Sequence, residues 1–396
     1  MAYKVVRDPI HGNIPLDGDF IAILDTPQMQ RLRHIKQNGL CYLVYPAMNS
    51  TRFEHSLGVY HLANLLTAHL ELPKDDCIRI MAAALIHDMG HGPFSHTFDT
   101  IFEAHGLDHE GISCKLACKS EVTERLVQMG ADPKDVSDLI MGKGRLGKLI
   151  SSEVDVDKMD YLVRDAYYAG VAYGITDVER LLYRISLSRS DVIVGHGGLE
   201  AAESLLINRN MMYRTVYRHH TKRIAESMMR AAVASLIKGG QKAKEIMSWD
   251  DVTLISRLRG ATGYPRQIMD MIDARTLFKR VFSEPLGSFT TASRNELAQN
   301  SEKVADSIST DLGIWEGHLL LDYPEASMNE YRVKVETSEG LKTIGEVSSL
   351  ARSLEAAEQE KMTVNIYVHG ESAKKFTDFD APSYFTYEQT RLPGFT

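Results

Sequence analysis

Residues 84–96 read Ala-Leu-Ile-His-Asp-Met-Gly-His-Gly-Pro-Phe-Ser-His, an apolar run that ends abruptly in polar chemistry. Ile78, Met81, Ala82 and Leu85 carry helical periodicity up to the adjacent His87-Asp88 pair. Gly90, Gly92 and Pro93 then stop it, because glycine favours a helix end and proline cannot continue one. A fold for this chain must therefore set His87 and Asp88 at the end of a helix, with His91 and His96 in the loop beyond. Three imidazoles and a carboxylate in so short a span are costly in a purely structural segment. Together they form a donor set for first-row metals and Mg²⁺-like ions. A zinc pair of His87 and His91, four residues apart, would need the helix to persist through Gly90, so it is not favoured.

A divalent ion needs four to six ligands, and His87-Asp88 would supply two. The next candidates are His55, in Arg52-Phe-Glu-His-Ser, and Asp157, in Asp155-Val-Asp-Lys-Met-Asp160. Taken singly, His55 reads as a polar residue near a helix start and Asp157 as an N-cap. Spacing alone does not bring them together.

The remainder of the chain limits the possibilities. It has 396 residues and a net charge of −8, so no global basic field points to nucleic acid. Cys41, Cys77, Cys114 and Cys118 lack CxxC spacing, and a reduced, cytoplasmic protein is expected. The amino-terminal residues form no apolar signal core, and no apolar run approaches the ~18 residues that span a membrane. Short β-like stretches flank the turn formers Asp8-Pro9 and Gly12, and Asp25-Thr26-Pro27 marks a helix start. Helical patterns cover 110–129, 134–141, 157–169 and 199–238, the last expected as one long scaffold helix. Strand-like alternation at Tyr331–Val335 and Val364–Val368 flanks a helix-like Val347–Lys361. Gly142-Lys-Gly-Arg-Leu-Gly-Lys148 approaches a P-loop but has no Ser or Thr after Lys148, and reads as a surface loop.

The order His55, His87-Asp88, Asp157 resembles the His…His-Asp…Asp signature of the HD-domain metal-dependent phosphohydrolases. Three longer motifs, Arg52-Phe-Glu-His-Ser-Leu-Gly58, His87-Asp-x-Gly-His-Gly-Pro-Phe-Ser-His96 and Asp155-Val-Asp-Lys-x-Asp-Tyr161, are similar to its deoxynucleoside triphosphate triphosphohydrolase branch. The similarity runs from about residue 3 to 238, and no sterile-alpha-motif segment is read. It implies that His55, His87, Asp88 and Asp157 hold one divalent ion, with Mn, Fe, Ni or Mg preferred over Zn. It implies that His91, His109 and His96 meet the reacting phosphate, with Asp99 supporting a histidine. Arg52, Lys158 and Arg209 would face the polyphosphate. Gln37, Tyr161 and Asp165 would face the sugar, and Tyr217 the sugar or base. Two departures stand out: Asn38 occupies a position that is apolar in the branch, and Arg218 one that carries an amide. A polar Asn38 puts discrimination against ribose in question. Lys4, Asp25, Gln30 and Arg33 match positions that bind an activating guanine nucleotide between subunits, which implies a homo-dimer or homo-tetramer.

The expected fold is mainly α: an HD-domain helical core over 1–238, a mostly helical connector over 239–325 and a small α/β region over 326–396. The expected function is metal-dependent hydrolysis of nucleoside triphosphates to nucleoside and tripolyphosphate. The rivals are an HD-type phosphodiesterase or nucleoside monophosphatase, and a non-catalytic nucleotide sensor. Intact Arg52, Lys158 and His109 favour an enzyme. Neither membrane nor nucleic acid is an expected partner.

Overall fold

The computed structural model describes residues 3–173, 176–324, 330–359, 362–377 and 379–388. Contacts divide the chain into two compact units. One comprises Met1–Arg218, Gly240–Arg257 and Asn329–Leu354, the other His219–Gly239, Leu258–Met328 and Glu355–Thr396. The borders therefore do not follow the linear division at 238 and 325, and the second of those falls outside the described residues.

The first unit opens with an antiparallel hairpin, β1 (Tyr3–Asp8) and β2 (Gly12–Asp17), whose turn residue Gly12 has φ 73°. Asp17 caps the next helix, α1 (Gly18–Leu24), by accepting from the Asp19 and Phe20 amides. Pro27 then starts α2 (Pro27–Arg31), where the Asp25-Thr26-Pro27 signal predicts a helix start. The core is built from α3 (Arg52–His69), α4 (Lys74–Ile86) and later helices. These are α5 (Asp99–Glu103), α6 (His109–Cys118), α7 (Glu121–Gln128), α8 (Pro133–Ile140), α9 (Gly144–Gly147) and α10 (Val156–Ala169). Helix α3 packs on α4 and α10, and α8 packs on α4 and α6. Leu57, Leu62 and Leu66 of α3, Leu85 and Ile86 of α4, and Met159, Leu162 and Ala166 of α10 are buried in one cluster. Asp155 caps α10 through the Lys158 amide, and Gly170 ends it at φ 68°.

Several elements differ from the sequence expectation. The helical stretch 110–129 is two helices, because Ser120 caps a new one. The P-loop-like stretch contains the short helix α9, and Lys148 pairs with Asp191. The 199–238 stretch is not one scaffold helix. Helix α11 (Val178–Leu182) is followed by α12 (Leu199–Met212), a widened π-helical turn at Tyr213–Tyr217, and α13 (His220–Lys238). The extended backbone of His219 (ψ 128°) interrupts the helix, and the unit border falls there. The strand expected at Tyr331–Val335 starts only at Lys334. In the first unit, Ile185–Leu187, Val192–Val194, Lys334–Thr337 and Gly340–Thr343 form a four-stranded sheet in that order. In the second unit, Thr363–Val368 is the central strand between Lys279–Pro285 and Leu319–Asp322. The two expected strands thus belong to separate sheets, and the helix between them spans Ser349–Gln359, with 360 and 361 outside the described residues. The molecule is mainly α-helical with small sheets towards its carboxyl-terminal half, as the sequence implies. No described helix is long and apolar enough to cross a membrane.

One contact fixes the approach of α3 to α10. A Cβ built on Gly58 would collide with Asp160 Oδ1 and Arg164 Nη2. Only glycine lets the two backbones close over that buried ion pair. Gly58→Ala should lower stability by about 1–3 kcal/mol, the usual cost of overpacking a core. Chemical denaturation against a Gly239→Ala control, where a Cβ meets no atom nearer than 3.3 Å, checks it. Equal midpoints for Gly58→Ala and wild type would refute the close-approach account.

Candidate metal and phosphate site

Three helices of the first unit bring together His55 of α3, His87 and Asp88 at the end of α4, and Asp157 of α10. His55 Nε2 lies 2.9 Å from Asp157 Oδ1 and 3.5 Å from Asp88 Oδ2. His87 Nε2 lies 3.3 Å from Asp88 Oδ1 and 3.7 Å from Asp157 Oδ1. Both Nε2 atoms are buried without a hydrogen-bond partner. Their Nδ1 atoms are engaged, that of His55 by Asp160 Oδ2 at 2.8 Å and that of His87 by the Ala84 carbonyl at 2.8 Å. With an ion bound, a proton on each Nδ1 would leave each Nε2 lone pair to ligate it. An ion about 2.0–2.2 Å from each donor would give donor–donor edges of roughly 3 Å, close to those seen. The residues present fit a divalent metal ion. The electrostatics agree with a cation site. Burial opposes charge on His55, yet Asp157 and Asp160 outweigh it and push its pKa up to about 10. Burial likewise opposes charge on Asp157, yet His55 and His87 hold it below the usual carboxylate range.

Beside these groups lies a cavity of about 80 Å³ lined by Arg52, His87, Asp88, His91, His96, His109 and Asp157 among others. Arg52 donates through Nη1 to Asp88 Oδ2 (2.6 Å) and through Nε to Ser95 Oγ (2.8 Å), while its buried Nη2 has no hydrogen-bond partner. His91 is buried with both ring nitrogens unpartnered by hydrogen bonds, and its Nε2 is 3.2 Å from Asp88 Oδ1. It stacks on His109 at 4.0 Å between centroids, and His96 meets both rings edge-on. Asp99 Oδ2 holds His96 Nδ1 at 2.7 Å. The three imidazoles lie close enough to suggest a second ion. However, in-plane lone pairs on two parallel rings 4.0 Å apart do not meet at one point. Burial, aided by His96, pushes His109 down to about 4, which keeps it neutral.

The sugar-side candidates form a second cluster. Asn38 Nδ2 donates to Asp165 Oδ1 at 2.7 Å, and the Tyr217 hydroxyl donates to Oδ2 at 2.7 Å. Asn38 precedes the short 3₁₀ turn Gly39–Leu43, and its side-chain amide holds the Asp165 carboxylate. Tyr161 meets the Tyr217 ring at 6.4 Å, and Arg209 lies over Tyr213 at 4.5 Å. Gln37 is buried; its backbone N–H donates to the Ser50 carbonyl, and its side-chain Oε1 has no hydrogen-bond partner among the described residues. Lys158 points elsewhere: its Nζ donates to the Ser152 carbonyl (2.8 Å) and Asp155 (3.0 Å). The four residues matched to a regulatory site are not joined as one group. Gln30 pairs with Arg33, whose guanidinium lies over Phe53, whereas Asp25 and Lys4 are exposed and make no side-chain hydrogen bond to them.

Sequence reasoning misses the groups that hold the histidine loop. Arg31 donates to the carbonyls of Trp249 (2.7 Å), Met89 (3.0 Å) and His91 (2.6 Å). Asp251 accepts from the Lys36 and Phe94 amides at 3.0 and 2.6 Å. Arg31 reads as surface within a basic run, and Asp251 lies far along the chain, so neither carries a local signal.

Comparison with known proteins gives the class. Residues 52–165 match the HD domain and residues 176–392 match the HD associated region. An uncharacterized protein of Methanocaldococcus jannaschii is 36% identical over 95% of this chain and 81% of its own length. The deoxynucleoside triphosphate triphosphohydrolase SAMHD1 of Danio rerio is 32% identical over 58% of this chain and 44% of its own length, so the chain spans less than half of that relative. A hypothetical protein from Aquifex aeolicus with a solved structure is 30% identical, with a TM-score of 0.79 over 95% of this chain and 99% of that one. The chain belongs to the HD-domain phosphohydrolase family and is a hydrolase.

Burial raises the Asp165 pKa to about 6, against the opposing hydrogen bonds of Tyr217 and Asn38. A carboxyl raised in the fold favours folding when protonated. Its contribution is complete below about pH 4, the unfolded value, and is lost as pH rises through about 6. Asp165→Asn should flatten that part of the stability profile, since the Asn38 amide can turn to pair with the new one. Denaturation midpoints of wild type and variant from pH 4 to 7 test this; parallel profiles would contradict it.

Proposed function

We propose that the protein hydrolyses nucleoside triphosphates, in the manner of a deoxynucleoside triphosphate triphosphohydrolase, releasing nucleoside and tripolyphosphate. The observation that carries this reading is the convergence of a four-residue metal set, a buried arginine and three imidazoles on one small cavity. Relatives that bear the deoxynucleoside triphosphate triphosphohydrolase name support the substrate class.

His55, His87, Asp88 and Asp157 would hold the ion. Bound there, a divalent metal polarises a phosphoryl group and acidifies water. Arg52 Nη2 is oriented by the partners of Nη1 and Nε and is left to hold a phosphate oxygen. His91 and neutral His109 would contact the α-phosphoryl oxygens, and His96, held by Asp99, would move a proton at its Nε2. Asp165, about 12 Å along α10 from Asp157, would read the sugar together with Tyr217 and Gln37. Tyr161 lines the same side, and Arg209 would reach the outer phosphates.

Two outcomes follow. With Mn²⁺, triphosphates should be hydrolysed at least a hundred-fold faster than monophosphates, and Arg52→Ala should cost about 10²–10³-fold in kcat. Product analysis over dNTPs, NTPs, monophosphates and cyclic nucleotides checks it, and equal rates on mono- and triphosphates would favour a nucleotidase. Asn38 sets the second expectation. Its amide gives a ribose 2′-hydroxyl a partner beside Asp165, whereas leucine would leave that hydroxyl unpaired at a cost of about 1–3 kcal/mol. Asn38→Leu should shift kcat/KM towards dNTPs by roughly ten-fold. Competing paired dNTP and NTP substrates decide it, and an unchanged ratio would remove Asn38 from the sugar site.

A further inference from the structure

Behind the candidate metal site lies a closed circuit of hydrogen bonds. Asp160 Oδ2 takes His55 Nδ1 at 2.8 Å and Arg164 Nε at 2.8 Å. Its Oδ1 takes Arg164 Nη2 at 2.9 Å and His11 Nε2 at 2.6 Å. Arg164 Nη1 runs on to Asp8 Oδ2 at 2.8 Å, and Asp8 Oδ1 accepts the His11 backbone N–H at 2.8 Å. Asp160 and Arg164 are fully buried, and His11 and Asp8 belong to the β1–β2 hairpin, distant in sequence from α10.

We infer that Asp160 and His11 are positioning residues for the metal site, Asp160 fixing the ring of His55 and His11 fixing Asp160. The inference rests on the metal reading of His55. A ligating imidazole needs its second nitrogen held by an acceptor, so that one tautomer and one ring angle persist. Asp160 is that acceptor. Arg164 is shared between Asp160 and Asp8, and His11 is the further partner of Asp160 Oδ1. Its contribution is direction: it anchors Oδ1 while Oδ2 meets His55. The amino-terminal hairpin thereby sets the angle at which a residue of α3 presents Nε2 to the ion. Nothing else among the described residues holds His55 Nδ1.

Mn²⁺ affinity of the purified full chain, by chelator competition far below the melting temperature, tests this together with the metal-induced shift in Tm. His87→Ala serves as the reference that loses the ion. Asp160→Asn should weaken Mn²⁺ binding by about 10–100-fold. His11→Ala should weaken it by about ten-fold, and His11→Gln, which restores a donor, should recover most of that loss. A structural role alone would lower the metal-free Tm of His11→Ala and leave the Mn²⁺ affinity of the folded protein unchanged. Wild-type affinity in both His11→Ala and Asp160→Asn, with His87→Ala defective, overturns the inference while the metal site stands. Wild-type protein that binds no Mn²⁺, or His87→Ala that binds it normally, overturns the metal reading and this inference with it.

Discussion

The buried carboxylate of Asp160 is the constraint around which the first unit is arranged. An ion taken out of water costs several kcal/mol unless its oxygens are satisfied, and removing one partner of a buried pair costs about 3–5 kcal/mol. Asp160 satisfies both oxygens with His55, His11 and two nitrogens of Arg164. Each partner comes from a different place: α3, the hairpin turn and the next turn of α10. The arrangement needs α3 and α10 to approach at Gly58, where a side chain would displace the carboxylate. Helix packing, hairpin docking and the orientation of His55 are thus settled by one group.

The loop after α4 shows a second way of holding chemistry in place. Phe94 and Ser95 both have positive φ, near 55°, which costs about 1–3 kcal/mol for each non-glycine residue. Asp251 accepts the Phe94 amide and Arg31 gathers two carbonyls upstream of it. The bend turns Ser95 Oγ onto Arg52 and brings His91, His96 and His109 ring to ring. The segment is held by charged side chains aimed at its backbone, and its imidazoles line the small cavity.

What could be read in the sequence follows from how local each signal is. His87, Asp88, His91 and His96 sit within ten residues, and the helix-breaking glycines between them are visible directly. His55 and Asp157 become candidates only through their motif neighbours, and their convergence with His87 is a property of packing between α3, α4 and α10. Asn38 could be singled out as polar where an apolar group is expected, but its partner, Asp165, is 127 residues away. Arg31, Asp251 and His11 act through backbone atoms or distant carboxylates and leave no periodic trace. The helix 199–238 misleads for a related reason. Its composition is helical throughout, and the break at His219 is a backbone event at the border of two units.

That border is crossed repeatedly. The chain leaves the first unit after residue 218, returns at 240, leaves again after 257 and returns at 329 for the last two strands of its four-stranded sheet. The pairing of Val194 with Val335 is therefore a very late contact in synthesis, with most of the second unit made in between. Closing so long a loop is slow, and a sheet waiting for its inner strand exposes an open edge. During synthesis, the strand Val192–Val194 must remain unpaired on one side until more than a hundred further residues have emerged. The ribosome-bound chain then carries a nearly complete helical core beside an unfinished sheet, a state in which a chaperone or a second copy of the chain would find a ready strand to hold.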